Sequence, residues 1–134
     1  MKKLFFALAA AICLMVSVSS CDSADIVLTT YVAAGNTQCP MDCGGGLTLE
    51  KIEYARGAYV TYTYKGNSSI HTFDQSLVTE EMKTQIVNEL NNQAMWNKEI
   101  KKFINAMKKK HVGLIYHYYT DNSHMDVIIK PNEL

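Results

Sequence analysis

Two cysteines in the first half of the chain have a spacing that permits thiol chemistry. Cys39 and Cys43 enclose the residues PMD, so the pattern is C-x₃-C. In an exported protein such a pair can form a disulfide that closes a small loop, and a strained disulfide is easily reduced. The C-x-x-C motif of thioredoxin-like proteins is absent from this stretch, and a metal would need more ligands. We therefore rank a structural disulfide between Cys39 and Cys43 first, free buried thiols second, and redox or metal chemistry third.

A histidine and an aspartate near the C-terminus form the second candidate for chemistry. The alternation of residues 114–130 predicts a hairpin in which His117 and Asp126 lie on the same face of adjacent strands. A carboxylate beside a histidine can orient a general base. No nucleophile is implied next to this pair, so we expect a cross-strand polar pair on an exposed face and predict no catalytic residue.

Two tyrosines extend this exposed face. Tyr59 and Tyr119 fall at positions opposite to the predicted core positions of their strands. Exposed tyrosine rings on a flat sheet can stack on sugars or pack against another protein. We therefore predict a binding surface made of Tyr59, His117, Tyr119 and Asp126, with no metal and no cofactor.

The N-terminus has the pattern of an export signal. Two lysines precede the uncharged run from Leu4 to Val18, which is shorter than the ~20 apolar residues that span a bilayer. A basic start and a short apolar stretch are typical of a secretory signal peptide. The segment VSSC, which ends at Cys21, resembles the bacterial lipobox. This resemblance implies that residues 1–20 are removed and that Cys21 carries a lipid; the alternative is an ordinary signal peptide cut near Ser20, which would leave a soluble periplasmic protein.

These features define the expected organisation of the chain. Residues 1–20 form a lipoprotein signal peptide, residues 21–22 the lipid anchor and a short tether, and residues 23–134 a single α+β domain. Without Lys2 and Lys3, the 11 remaining basic and 13 acidic residues give a net charge of −2. Nucleic acid is therefore not an expected partner, because its binding needs a basic excess. The expected location is the cell envelope, on a membrane that holds the N-terminal lipid.

Hydrophobic periodicity predicts the elements of the first half of this domain. Residues 23–35 fit a short helix with Ser23 as its N-cap, although their five β-branched residues also suit a strand; we favour the helix. Residues 36–46, which include three consecutive glycines, are predicted to form a loop. Residues 47–65 form a hairpin, in which the apolar parity slips between Leu49 and Ile52 and indicates a bulge.

The second half of the domain continues with helices and a hairpin. One helix begins after Thr79 and is broken at residues 91–93, and a second covers residues 94–110 with Trp96 on its apolar face. Residues 114–130 form the second hairpin. The predicted fold is therefore α+β, a four-stranded antiparallel sheet made from two hairpins, with two or three helices packed on one face.

Several of these segments together resemble a known group of proteins. An N-x-x-C-P loop at residues 36–40, the strand VTYTY at residues 60–64 and the strand GLIYHY at residues 113–118 are similar to small envelope lipoproteins of Bacteroides-type bacteria. The resemblance covers most of residues 36–130 and implies a small α+β envelope protein. The group has no established activity, so it supplies no catalytic residues.

The expected function is therefore binding. We predict a lipid-anchored, non-enzymatic envelope protein that binds a partner protein or a glycan, through the exposed sheet face or through the loop at residues 39–43. The alternative is an envelope enzyme, redox or hydrolytic, that uses Cys39 and Cys43.

Overall fold

The computed structural model describes residues 23–56 and 58–134. The predicted signal peptide at residues 1–20, the tether at residues 21–22 and the lipidation site Cys21 lie outside the described residues. The described chain forms three helices, five strands and two short 3₁₀ turns. The helices are α1 (Ala24–Asn36), α2 (Glu80–Trp96) and α3 (Lys98–Lys110), and the strands are β1 (Met41–Gly44), β2 (Leu47–Tyr54), β3 (Tyr59–Gly66), β4 (Gly113–Tyr119) and β5 (His124–Ile129).

The five strands form one mixed sheet in the order β1-β2-β3-β4-β5. Strand β3 pairs with β4 in parallel, and the other neighbours are antiparallel. The predicted α+β class and both hairpins are confirmed, whereas the prediction of four purely antiparallel strands is wrong. The reason is the connection between the hairpins: α2 and α3 carry the chain back to the end of the sheet where β3 begins, so β4 must run in the same direction as β3.

The fifth strand comes from the stretch that the sequence predicted as a loop. Strand β1 pairs with the start of β2, and the glycine run forms the turn between them. Gly44, Gly45 and Gly46 have φ angles of 79°, 62° and 78°, a left-handed conformation that glycine adopts without steric cost. The Oδ1 atom of Asp42 accepts a hydrogen bond of 2.9 Å from the N–H of Gly44. The glycine run, which the sequence predicts to be part of a loop, therefore forms the turn of a hairpin.

The predicted bulge in β2 is confirmed. Leu49 pairs with Tyr64, and the next pair joins Lys51 to Thr63, so Glu50 is the extra residue. The bulge keeps both Leu49 and Ile52 in the core, where each is 1% exposed. It also directs the Glu50 side chain to the opposite face of the sheet.

Side-chain caps determine where the helices begin. The Ser23 hydroxyl accepts a hydrogen bond from the N–H of Ile26, and the Thr79 hydroxyl accepts one from Met82, as the sequence predicted. The predicted break at residues 91–93 is wrong, because α2 continues through them to Trp96. The break lies at Asn97, whose side chain accepts hydrogen bonds from the first N–H groups of α3.

The core lies between the sheet and one layer of helices. Helix α3 packs between α1 and α2, and the Tyr31 ring of α1 stacks on Phe103 of α3 with ring centroids 4.2 Å apart. The strand residues that face this layer are buried, as the alternation predicted. They are Leu47, Leu49, Ile52, Val60, Tyr62, Tyr64, Leu114, Tyr116, Tyr118, Met125, Val127 and Ile129.

Two side-chain amides cover sheet edges that no strand covers. Beyond the short β1, the Asn36 amide pairs with both backbone groups of Ile52, with Nδ2 donating to the carbonyl at 2.6 Å and Oδ1 accepting from the N–H at 2.8 Å. At the opposite edge the Gln75 amide pairs in the same way with Asp126, at 2.8 Å for both bonds. Unpaired backbone groups at a sheet edge can pair with another chain. Each amide prevents this at one residue, because it bonds the N–H and the carbonyl as a neighbouring strand would.

We expect Asn36→Ala to lower the free energy of unfolding by about 1–2 kcal/mol, because two hydrogen bonds to a partly buried edge are lost. Urea unfolding followed by circular dichroism measures the change. Gln75→Ala is the matched control and should cost less, because its bonds are exposed to water, which can replace them. Equal costs for the two variants would show that edge pairing at Ile52 has no special role.

Four tyrosines form the centre of the core. Tyr62 and Tyr116 lie side by side on β3 and β4 with centroids 5.3 Å apart, and Tyr64 and Tyr118 lie beside them at 5.1 Å. Their hydroxyls are buried without a hydrogen-bond partner among the described residues. Burial raises the pKa of all four hydroxyls above the ordinary value. A buried unpaired hydroxyl costs free energy, so the rings stabilise this core more than their oxygens do.

We expect Tyr116→Phe to raise the free energy of unfolding by about 1 kcal/mol, because the desolvation cost of its hydroxyl disappears. Tyr54→Phe is the control, since it removes a hydroxyl that donates to Asp25 at 2.8 Å, and it should destabilise. The raised pKa values also imply that stability, complete below the unfolded-state pKa of about 10, falls as the pH rises above it. Urea titrations at neutral pH and above pH 10 measure both effects, and a less stable Tyr116→Phe protein would contradict the assignment.

Candidate functional site

No described helix or strand covers the face of the sheet opposite the helices. We call this surface the open face, and it carries the side chains that alternate with the core positions. It contains all four residues of the predicted binding surface, Tyr59, His117, Tyr119 and Asp126, each partly exposed. The open face also includes Thr48, Glu50, Lys51, Thr63, Lys65 and Ile128.

Three of the four predicted residues lie together, and the fourth lies apart. Asp126 is paired directly opposite His117, and the His117 and Tyr119 rings stack with centroids 5.8 Å apart. Tyr59 is on β3, four residues from the Thr63 that lies beside His117, a separation of about 13 Å at the rise of a strand. The predicted surface therefore divides into a cluster at one end of β4 and a single tyrosine at the other end of β3.

The predicted histidine–aspartate pair is present. The Nδ1 atom of His117 lies 2.5 Å from Oδ1 of Asp126, and the two side chains are 34% and 40% exposed. The carboxylate fixes the orientation of the imidazole. Among the described residues no hydroxyl or thiol is hydrogen-bonded to His117, so the arrangement fits an oriented polar pair better than a catalytic triad.

Tyr119 connects this pair to β2 across the intervening strand. Its hydroxyl donates to Oε1 of Glu50, the bulge residue. This bond, together with desolvation and the negative charges of Glu50 and Asp121, raises the pKa of Tyr119 to about 12. Glu50, Tyr119, His117 and Asp126 thus form a continuous cross-sheet row, in which each aromatic ring is held by a carboxylate.

Glu50 is a residue of this site that was not predicted from the sequence. The signal was present in the parity slip, because a bulge that keeps Leu49 and Ile52 buried must turn the two residues between them, Glu50 and Lys51, outward. Its partner Tyr119 is 69 positions away in sequence, so no local pattern indicates the contact.

A polar groove of about 590 Å³ adjoins the cross-sheet row at the strand ends. Its walls include Thr48 and Lys65 of the open face, and Lys65 is paired with Tyr119 in the β3–β4 register. The glycine turn forms one side, where Nε2 of His71 lies 2.6 Å from the Gly45 carbonyl. The residues lining the groove are Asp42, Gly44, Gly45, Gly46, Thr48, Lys65, Gly66, Asn67, Ser68 and Asp121.

The two cysteines lie elsewhere, at the side of the core. Cys39 and Cys43 are free thiols in the structure, both partly buried. Burial is the main cause that raises the pKa of each thiol. Reactive cysteines need a lowered pKa, because the thiolate is the nucleophile. The thiols therefore do not resemble a redox or hydrolytic centre, and the disulfide between them remains a prediction.

The described residues contain no group of three or more metal-ligating side chains placed to hold an ion. Over the same residues, no helix has both the length and the apolar character that crossing a bilayer requires. The open face offers aromatic rings, carboxylates and two lysines, Lys51 and Lys65.

We expect Glu50→Ala to lower the pKa of Tyr119 from about 12 towards the ordinary value of about 10, because the carboxylate that holds the phenolic proton is removed. Titration of ¹³Cζ-labelled tyrosine by NMR resolves Tyr119 from the core tyrosines. Glu53→Ala, on the same strand but paired with Lys51, is the control and should leave this pKa unchanged. An unaltered Tyr119 titration in Glu50→Ala would refute the bond.

Comparison with known proteins assigns no family to the chain. No family model, no curated protein and no solved structure matches it. The resemblance of residues 36–130 to Bacteroides-type envelope lipoproteins therefore remains a prediction from the sequence, and the function has to be argued from the geometry.

Proposed function

We propose that this protein is a lipid-anchored, non-catalytic protein of the bacterial cell envelope that binds a glycan through the cross-sheet row and the adjoining polar groove. The observation that carries the proposal is the row itself, Glu50, Tyr119, His117 and Asp126. Its hydrogen bonds and ring stacking hold two aromatic rings and two carboxylates in fixed positions on an uncovered surface. Such preorganisation reduces the side-chain entropy that binding would otherwise cost.

The chemistry of the row suits a sugar. A pyranose presents an apolar face of C–H groups, which packs on an aromatic ring, and a rim of hydroxyls, which donate to carboxylates. Tyr119 and His117 supply the rings, and Glu50 and Asp126 supply the acceptors. The adjoining groove adds hydroxyl, amide and carboxylate groups from Thr48, Asn67, Ser68 and Asp121, together with the ammonium of Lys65. These groups match the hydroxyls of further sugar units.

A partner protein fits this surface less well. Protein interfaces have an apolar centre rich in large side chains. Among the described residues of the open face, Ile128 is the one large hydrophobic side chain in the exposed class, and its exposed fraction is only 37%. The groove is lined mainly by polar residues and by glycines. The surface therefore favours a hydroxyl-rich ligand.

Attachment to a membrane is the second part of the proposal. It is supported by the sequence of the N-terminal segment and by the position of the domain boundary. Ser23 already caps α1, so only Asp22 separates the domain from Cys21. Extended chain reaches ~3.3–3.6 Å per residue, so a lipid on Cys21 would hold the folded domain directly at the membrane surface. The mass of the mature native protein tests this part: it should correspond to residues 21–134 with a diacylglycerol and an acyl chain.

The glycan part is tested with an array of bacterial and host oligosaccharides, probed with the full chain in lipid nanodiscs. We expect Tyr119→Ala to weaken binding of each hit about ten-fold, because ring stacking is worth roughly 0.5–1.5 kcal/mol and the Glu50 carboxylate loses its position. Tyr59→Ala is the matched control, since it removes a tyrosine from the same face away from the row, and binding should be retained. An array without hits, or equal losses in the two variants, would exclude the row as a glycan site.

A further inference from the structure

The near-neutral composition hides a strong separation of charge. Helix α3, KEIKKFINAMKKK, contains six lysines and one glutamate. The other described residues contain five basic and eleven acidic side chains. Because α3 is the middle helix of the layer, its positive charge lies at the centre of the molecular surface opposite the open face.

The lysines of α3 face outward. Ile100, Phe103, Ile104 and Met107 occupy the inner side of the helix and are buried in the core, so α3 cannot leave the domain to insert its apolar side elsewhere. The exposed lysines of the helix are Lys98, Lys101, Lys108, Lys109 and Lys110. The glutamate of the helix, Glu99, lies 3.7 Å from Lys102 and does not neutralise them.

Two large apolar side chains project beside this positive surface. Met95 and Trp96 are 75% and 84% exposed, more than any other large hydrophobic residue among those described. They end α2 at the corner where Asn97 turns the chain into α3. A shallow groove of about 450 Å³ joins them to Lys98, Lys101 and Lys108. The tryptophan is the only one in the chain.

We propose that the outer surface of α3 and the corner formed by Met95 and Trp96 together bind the surface of an anionic lipid bilayer, with Trp96 in the headgroup region. Tryptophan is enriched at membrane interfaces, because its ring is apolar and its indole N–H is polar. Basic side chains next to such residues are attracted to anionic headgroups. The charge, the exposed ring and their common position point to the same partner.

A bilayer suits this surface better than a protein does. Met95 and Trp96 are two apolar side chains beside five exposed lysines, whereas the centre of a protein interface is apolar and depleted of charged residues. Lysine is depleted at the centres of protein interfaces, whereas a fluid anionic surface can accommodate many flexible ammonium groups. The proposal depends neither on glycan binding nor on lipidation of Cys21, because its residues belong to the folded domain.

Trp96 is a built-in probe for the test. The full chain is reconstituted into vesicles of phosphatidylcholine alone or with phosphatidylglycerol, and tryptophan emission is recorded with acrylamide in the water or with brominated acyl chains in the lipid. With anionic vesicles we expect the emission to shift to shorter wavelength, brominated lipid to quench it, and acrylamide to lose access. Molar salt should reverse these changes, because the attraction is electrostatic.

Variants separate this surface from general basicity. Replacing Lys98, Lys101 and Lys108 by glutamine should abolish the protection of Trp96 in anionic vesicles. Replacing Lys51, Arg56 and Lys130 by glutamine should leave the protection unchanged, because these residues lie on the sheet and at its ends. Circular dichroism checks that both triple variants are folded. The proposal is wrong if Trp96 stays accessible to acrylamide in the presence of anionic vesicles. It is also wrong if neutral vesicles protect Trp96 as well as anionic vesicles do, or if anionic vesicles protect it equally well in the first triple variant.

Discussion

The parallel pairing of β3 with β4 is the contact on which both faces of the sheet depend. It joins two hairpins that would otherwise be separate, and it places the alternating tyrosines of each strand side by side. On the inner face this brings Tyr62 next to Tyr116 and Tyr64 next to Tyr118. On the outer face the same register sets Tyr119 beside Lys65, close enough for its hydroxyl to reach Glu50 on β2. A one-residue slip would exchange the two faces and destroy both arrangements.

The sheet can remain open on one side because its edges are protected by side chains. Strand β1 covers only the start of β2, and the Asn36 amide covers Ile52 beyond it. Gln75 does the same for Asp126 on β5, and it also supports the strand residue whose carboxylate orients His117. Edge protection and the geometry of the cross-sheet row are thus linked at Asp126. Because the two amides occupy the edge hydrogen-bonding groups, a small sheet with one uncovered face can present polar side chains without offering its edges to other chains.

Local patterns in the sequence were sufficient for the elements and for the pair on adjacent strands. The alternation around a short turn placed His117 opposite Asp126, and capping residues located the starts of α1 and α2. Contacts that depend on how the chain connects its helices and strands could not be predicted in this way. Nothing local indicates that two helices return the chain for a parallel pairing, and Gly44 to Gly46 have the same composition in a loop and in a hairpin turn. A helix break at residues 91–93 would place Trp96 on the apolar face of the next helix, whereas the N-cap at Asn97 places the corner after Trp96 and leaves its ring exposed.

The division of residue types between the two layers has a consequence for how the protein can be oriented. The helix layer carries the excess of lysine and the exposed tryptophan, and the sheet carries the acidic and aromatic row, so the two proposed ligands would lie on opposite sides of one rigid core. A core of stacked rings between the layers resists deformation, because close-packed interiors respond to strain as a unit. Binding at one layer therefore need not change the shape of the other. What it does change is direction: a domain held at a bilayer through α3 must present Glu50, Tyr119, His117 and Asp126 away from the lipid, towards the compartment where a glycan would be met.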